Sequence, residues 1–160
     1  MCDEYDAERL LEVVTEHMRE HGMRFGRVGE DTMLFTIYGG DKATYPALIN
    51  VHTNRPLVVL QVVVGCHAPV EKRTAVAELL TRINYSLIYG NFEMDFSDGE
   101  VRYRTSVDVA GGQLTDEMIQ ALICANLFTV DRFHPAIMSL LWNDLTPEEA
   151  LALVEEQDDE

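Results

Sequence analysis

The stretch Leu57-Val58-Val59-Leu60-Gln61-Val62-Val63-Val64 is apolar at both odd and even positions, and how it is read decides the fold. β-Branched residues dominate it, Asn54-Arg55-Pro56 bounds it on one side and Gly65 on the other, so it reads as a strand. Successive residues of a strand point to opposite faces, so a run apolar on both parities needs cover on both sides. Helices on one face meet half of that need. The other half falls to a third helical region, a second subunit or a client chain. Leu57, Val59, Leu60, Val62 and Val64 are accordingly the candidate protein-binding residues.

Upstream, Met23 to Val28, Thr32 to Tyr38 and Tyr45 to Thr53 are extended segments separated by Gly29 and Gly39-Gly40, which predicts an antiparallel meander. Before them, Leu10, Leu11, Val13, Val14 and Met18 recur at helical spacing between Asp6 and His21, with Gly22 as the stop.

Downstream, Pro69 opens a second helix whose apolar stripe is Val76, Leu79, Leu80, Ile83 and Leu87, ending before Gly90. A hairpin follows, with alternation on both sides of Asp98-Gly99. A two-residue turn there pairs Phe96 with Val101 and Met94 with Tyr103 on one face, and Asp95 with Arg102 and Glu93 with Arg104 on the other. Thr115 is the expected cap of a third helical region carrying Met118, Ile119, Leu122 and Ile123. Pro135 predicts two pieces or one bent helix. Thr146-Pro147-Glu148-Glu149 is a capping box opening a short last helix through Leu151 and Val154, with Glu155 to Glu160 expected to fray. The predicted order is α-β-β-β-β-α-β-β-α-α: an α+β fold, one domain over residues 1–160, with an antiparallel sheet and helices packed mainly on one face.

Twenty-eight acids against 12 bases give a net charge of −16, a field that repels phosphate backbones and anionic bilayers. Neither nucleic acid nor membrane is an expected partner. The longest apolar run, Leu57 to Cys66, is interrupted by Gln61 and falls far short of the ~20 residues of a membrane helix. Acids at Asp3, Glu4, Asp6 and Glu8 stand where a secretory signal is basic and then apolar, and Cys2, Cys66 and Cys124 fit no disulfide or zinc spacing. A cytoplasmic location is the expectation.

The sequence offers no catalytic, cofactor-binding or metal-ligating set. His17 and His21 share one face of the first helix, but Met18 stands where a zincin has glutamate, so a solvated helix face is expected. Cys66 and His67 are strand neighbours and point apart. Gly39-Gly40 and Gly111-Gly112 lack the phosphate-loop patterns. Asn84 and Asn126 fall among apolar helix positions, where each needs partners: local backbone or water, or a polar contact across an interface.

The chain resembles the YbjN family, described as bacterial sensory transduction regulators. The resemblance rests on Leu79 to Asn84, Gly90-Asn91-Phe92-Glu93, Gly99 to Thr105, Leu114 to Ile119, Asp131-Arg132-Phe133-His134-Pro135 and Glu148-Glu149-Ala150. It implies a fold like that of type III secretion chaperones, small acidic proteins that often dimerise and bind extended segments of other proteins. The combined expectation is a non-enzymatic protein-binding regulator or chaperone-like adaptor without cofactor, partnered by another protein or, as a homodimer, by itself. The alternative is a small-molecule sensor or enzyme with a pocket between sheet and helices.

Overall fold

A computed structural model describes residues 6–29 and 32–158. Helix α1 (Ala7–Glu20) precedes four strands, β1 (Phe25–Arg27), β2 (Met33–Gly39), β3 (Thr44–Val51) and β4 (Leu57–His67). A 3-10 turn (Val70–Lys72) leads into α2 (Arg73–Ser86), followed by β5 (Asn91–Met94), β6 (Glu100–Asp108), α3 (Asp116–Trp142) and α4 (Pro147–Asp158). The predicted order of elements is the observed one. The strands make one antiparallel sheet in the order β1-β2-β3-β4-β6-β5.

Local chemistry sets the helix ends. The Asp6 carboxylate accepts from the N–H groups of Glu8 and Arg9, and the Thr115 hydroxyl from that of Met118. In the Thr146 capping box the hydroxyl accepts from Glu149 N–H at 3.3 Å, while the Glu149 carboxylate accepts from Thr146 N–H at 2.8 Å. Helix α4 continues past Val154 to Asp158; residues 159 and 160 of the expected tail lie outside the described residues.

Helix α3 runs unbroken for 27 residues through Pro135. Proline removes one helical N–H and crowds the carbonyl four residues back. Burial on both sides of it offsets that loss: Val130, Phe133, Ala136, Ile137 and Leu140 sit in the core along one stripe.

The hairpin differs from its predicted register by two residues. Met94 pairs with Val101, Phe92 with Tyr103 and Glu93 with Arg102. The turn is longer because the Asp95 carboxylate binds the backbone N–H and hydroxyl of Ser97, while its carbonyl accepts from Gly99 N–H at 2.7 Å. Gly99 has φ +84°, and a Cβ there would overlap the Ala68 carbonyl. A shift of two preserves parity, so the charged residues still share one face and the apolar ones the other.

Two polar side chains tie helices to strands. The Asn84 amide donates to the Phe92 carbonyl at 2.9 Å and its oxygen accepts from the Phe92 N–H at 2.8 Å. Phe92 lies on the outermost strand, so Asn84 occupies backbone groups that face away from the ladder. Asn126, fully buried on α3, donates to the Thr105 hydroxyl on β6 and to the Leu122 carbonyl. Asn84 thus pairs through both its amide nitrogen and its oxygen, and Asn126 through its amide nitrogen alone.

Asp131 on α3 binds the β2–β3 turn, accepting from Asp41 N–H (3.0 Å), Lys42 N–H (2.9 Å) and the Tyr45 hydroxyl (2.8 Å). A side chain at Gly40 would overlap this carboxylate. Burial acts to raise the Asp131 carboxyl, but hydrogen bonds from Lys42, Tyr45, Asp41 and Ala43 outweigh it and hold the carboxyl below its usual range. Because the folded value is depressed, the stabilisation is complete above the unfolded value of about 3.9 and is lost as pH falls through the folded one. Asp131→Asn is expected to cost ~1–3 kcal/mol at neutral pH. In urea titrations the gap between variant and wild type should close as the pH is lowered past the ordinary carboxylate range.

Candidate protein-binding face

The sheet is covered on one side only. On β4, Val58, Leu60, Val62, Val64 and Cys66 are buried, whereas Leu57, Val59, Gln61 and Val63 are half-buried. Register carries the buried parity across the sheet through Val62, which pairs with Ala47 on β3 and Tyr103 on β6. The helices meet this face: Phe133 of α3 packs edge-on against Phe92, His134 against Tyr45, and Glu8 of α1 pairs with Arg27 at 2.9 Å. Helix α3 therefore joins α1 and α2 on the covered side and leaves the opposite face open among the described residues.

The five sequence-predicted residues divide by this parity. Leu60, Val62 and Val64 lie in the core, at most 2% exposed, and Leu57 and Val59 lie on the open face. Register places further side chains beside them. One cross-strand row is Met33, Asn50, Val59 and Ser106; the next is Phe35, Leu48, Gln61, Arg104 and Asn91; Ile37 pairs with Pro46, Val63 with Arg102, and Arg102 in turn with Glu93. Phe35 is 40% exposed and Ile37 60%. The same two-parity pattern that marks β4 is present in Met33 to Tyr38 and is the signal by which Phe35 and Ile37 could have been found.

The face is thus apolar over β2 to β4 and charged over β6 and β5, where Glu93 bonds both Arg102 (2.5 Å) and Arg104 (3.1 Å). At the charged end a groove of about 570 Å³ is floored by Leu57, Val59, Arg104 and Ser106. Its walls are His52 and Arg55 from the β3–β4 turn and Ile88 to Asn91 from the α2–β5 loop. None of its lining residues is acidic, a local exception in a chain of net charge −16. Ile88 is fully exposed on the groove wall. Neither this loop nor the turn carried a sequence signal beyond turn formation.

Elsewhere, burial pushes the Cys66 thiol up to about 11, away from the thiolate form, and His67 on the opposite parity is exposed. His17 is buried, not solvated as expected, because α3 begins directly over it: Asp116 contacts its Nδ1. His21 remains partly exposed. No helix among the described residues is long and apolar enough to cross a membrane.

An antiparallel sheet with helices on one face and an open opposite face defines an α+β protein of two layers. The chain belongs to the YbjN family, "Putative bacterial sensory transduction regulator", whose model matches residues 10–138. Among solved structures it is similar to YbjN from E. coli, with a TM-score of 0.57 and 14% identity over 76% of this chain and 85% of that one. It is also similar to a chain in the ExsC–ExsE complex (TM-score 0.55, 14% identity, 80% of this chain and 92% of that). A chain of the HopA1–SchA chaperone–effector complex matches at TM-score 0.54, with 11% identity over 80% of this chain and 95% of that. These likenesses establish a type III chaperone-like fold. No curated protein matches the sequence.

The parity assignment predicts opposite outcomes for neighbouring residues. Leu60→Asp buries an unpaired charge and is expected to cost more than about 4 kcal/mol, enough to abolish the cooperative unfolding transition. Val59→Asp, on the open face, is expected to cost about 1 kcal/mol and to retain a native circular dichroism spectrum.

Proposed function

We propose that this chain is a non-enzymatic regulator or chaperone-like adaptor of the cytoplasm that holds an extended segment of another protein on its open sheet face. The observation that carries this reading is the set of apolar side chains, Phe35, Ile37, Leu48, Val59 and Val63, spread over three strands with Asn50 and Gln61 among them, on a face to which none of the described helices packs. A contiguous apolar patch rimmed by polar residues is a feature of binding surfaces. Charge complementarity specifies the occupant. The groove carries Arg55, and Arg104 already bonded to Glu93, with no acid among its lining residues, which suits a segment with apolar residues at alternate positions and a carboxylate near Arg55. The presence of similar folds in a chaperone–effector complex agrees with a protein partner.

The test is affinity capture of the tagged chain from its own cell lysate, run with wild type and Val59→Asp, with light scattering of the purified proteins alongside. A stoichiometric protein retained by wild type and lost in the folded variant supports the adaptor. A dimer that Val59→Asp converts to monomer identifies the occupant as a second copy. Wild type recovered alone, as a monomer, overturns the reading and favours a ligand-binding sensor.

A further inference from the structure

Away from the open face, α1 and the first residue of α3 bring three ligand-capable side chains together. His17 and His21 are four residues apart and share one helix face, with ring centroids 4.2 Å apart. Asp116 reaches both, its Oδ1 contacting His17 Nδ1 and its Oδ2 lying 4.0 Å from His21 Nε2. One donor atom from each of the three lies within 4.8 Å of the other two.

The tautomer of His21 follows from its surroundings. Its Nδ1 is 2.9 Å from the His17 carbonyl oxygen, which can only accept. The imidazole therefore donates Nδ1–H and keeps its lone pair on Nε2. That lone pair faces a carboxylate, which also only accepts. Two acceptors 4.0 Å apart attract each other only through a positive group between them, a proton or a metal cation. His17 adds a second imidazole ring, 2% exposed and held in place by packing.

We propose that His17 Nδ1, His21 Nε2 and Asp116 form a site for a divalent transition ion of the zinc type, independent of the open-face reading. Two imidazole nitrogens and one carboxylate oxygen are a borderline donor set that suits such ions and not calcium or magnesium. Bonds of about 2.0–2.2 Å to a shared ion require only small side-chain adjustments from the present cluster. Asp116 and His21 are about half exposed, so water completes the coordination. The His17 carbonyl on His21 Nδ1 is the outer partner that orients a ligating imidazole. The bound ion ties the C-terminal end of α1 to the N-terminus of α3.

The experiment titrates the dialysed full-length chain with Zn2+ by calorimetry and follows histidine ring signals by NMR. One ion per chain is expected, with the signals of His17 and His21 shifting while those of His52, His67 and His134 stay in place. His21→Ala and Asp116→Asn should each weaken binding at least tenfold with an unchanged circular dichroism spectrum. Absence of saturable binding overturns the site. So does binding that shifts histidines other than His17 and His21, or that either folded variant weakens by less than tenfold.

Discussion

The ladder between β4 and β6 is the constraint on which the rest of the molecule depends. It runs in register from Leu57–Asp108 to Val63–Arg102 and resumes past a register shift at His67–Glu100, and β3 pairs with the other side of β4. Side chains alternate strictly along a strand, so the parity of β4 dictates which residues of β3, β6 and, one strand further, β2 and β5 face the helices. Tyr45, Tyr103, Phe92 and Leu34 are core residues because of that alignment. Helix α3 then follows: its Asn126 binds Thr105 and its Asp131 binds Tyr45, two points on the same face that orient a long helix across the sheet.

Crowding the helices onto one face has an electrostatic counterpart. Ion pairs on the open side gather at β5 and β6, where Glu93 bridges Arg102 and Arg104, leaving β2 to β4 without charge on that surface. A protein with so many carboxylates keeps one apolar strip and one acid-free groove next to each other. Those two properties bear on recognition more directly than the net charge does, which acts mainly on solubility and encounter.

Element order and type were legible because each element carries its own local signal, from the Asp6 cap to the Thr146 capping box. That both parities of β4 are apolar was legible too, from the run Leu57 to Val64. Which parity faces outward was not, because Val59 and Leu60 are equally apolar and only their pairing partners distinguish them. The hairpin register was missed because the Asp95 side chain competes with the two-residue turn, a choice made by three hydrogen bonds and not by the Asp-Gly pair. His17 was misread because helical spacing shows neighbours on α1 but not Asp116, ninety-nine residues away in sequence. Of the two alternatives at Pro135, the break into two pieces is overturned, because a local penalty of ~3 kcal/mol is smaller than the burial gained by the side chains around it.

The bidentate contact of Asn84 with Phe92 also limits how copies of this molecule can associate. It occupies outward backbone groups on the β5 margin of the sheet, and the opposite margin, β1, is only three residues long. Sheets that join side by side need free main-chain donors and acceptors over several residues, and both margins are short, with Asn84 holding one of the four residues of β5. Continuous polymerisation through the sheet margins is thereby discouraged.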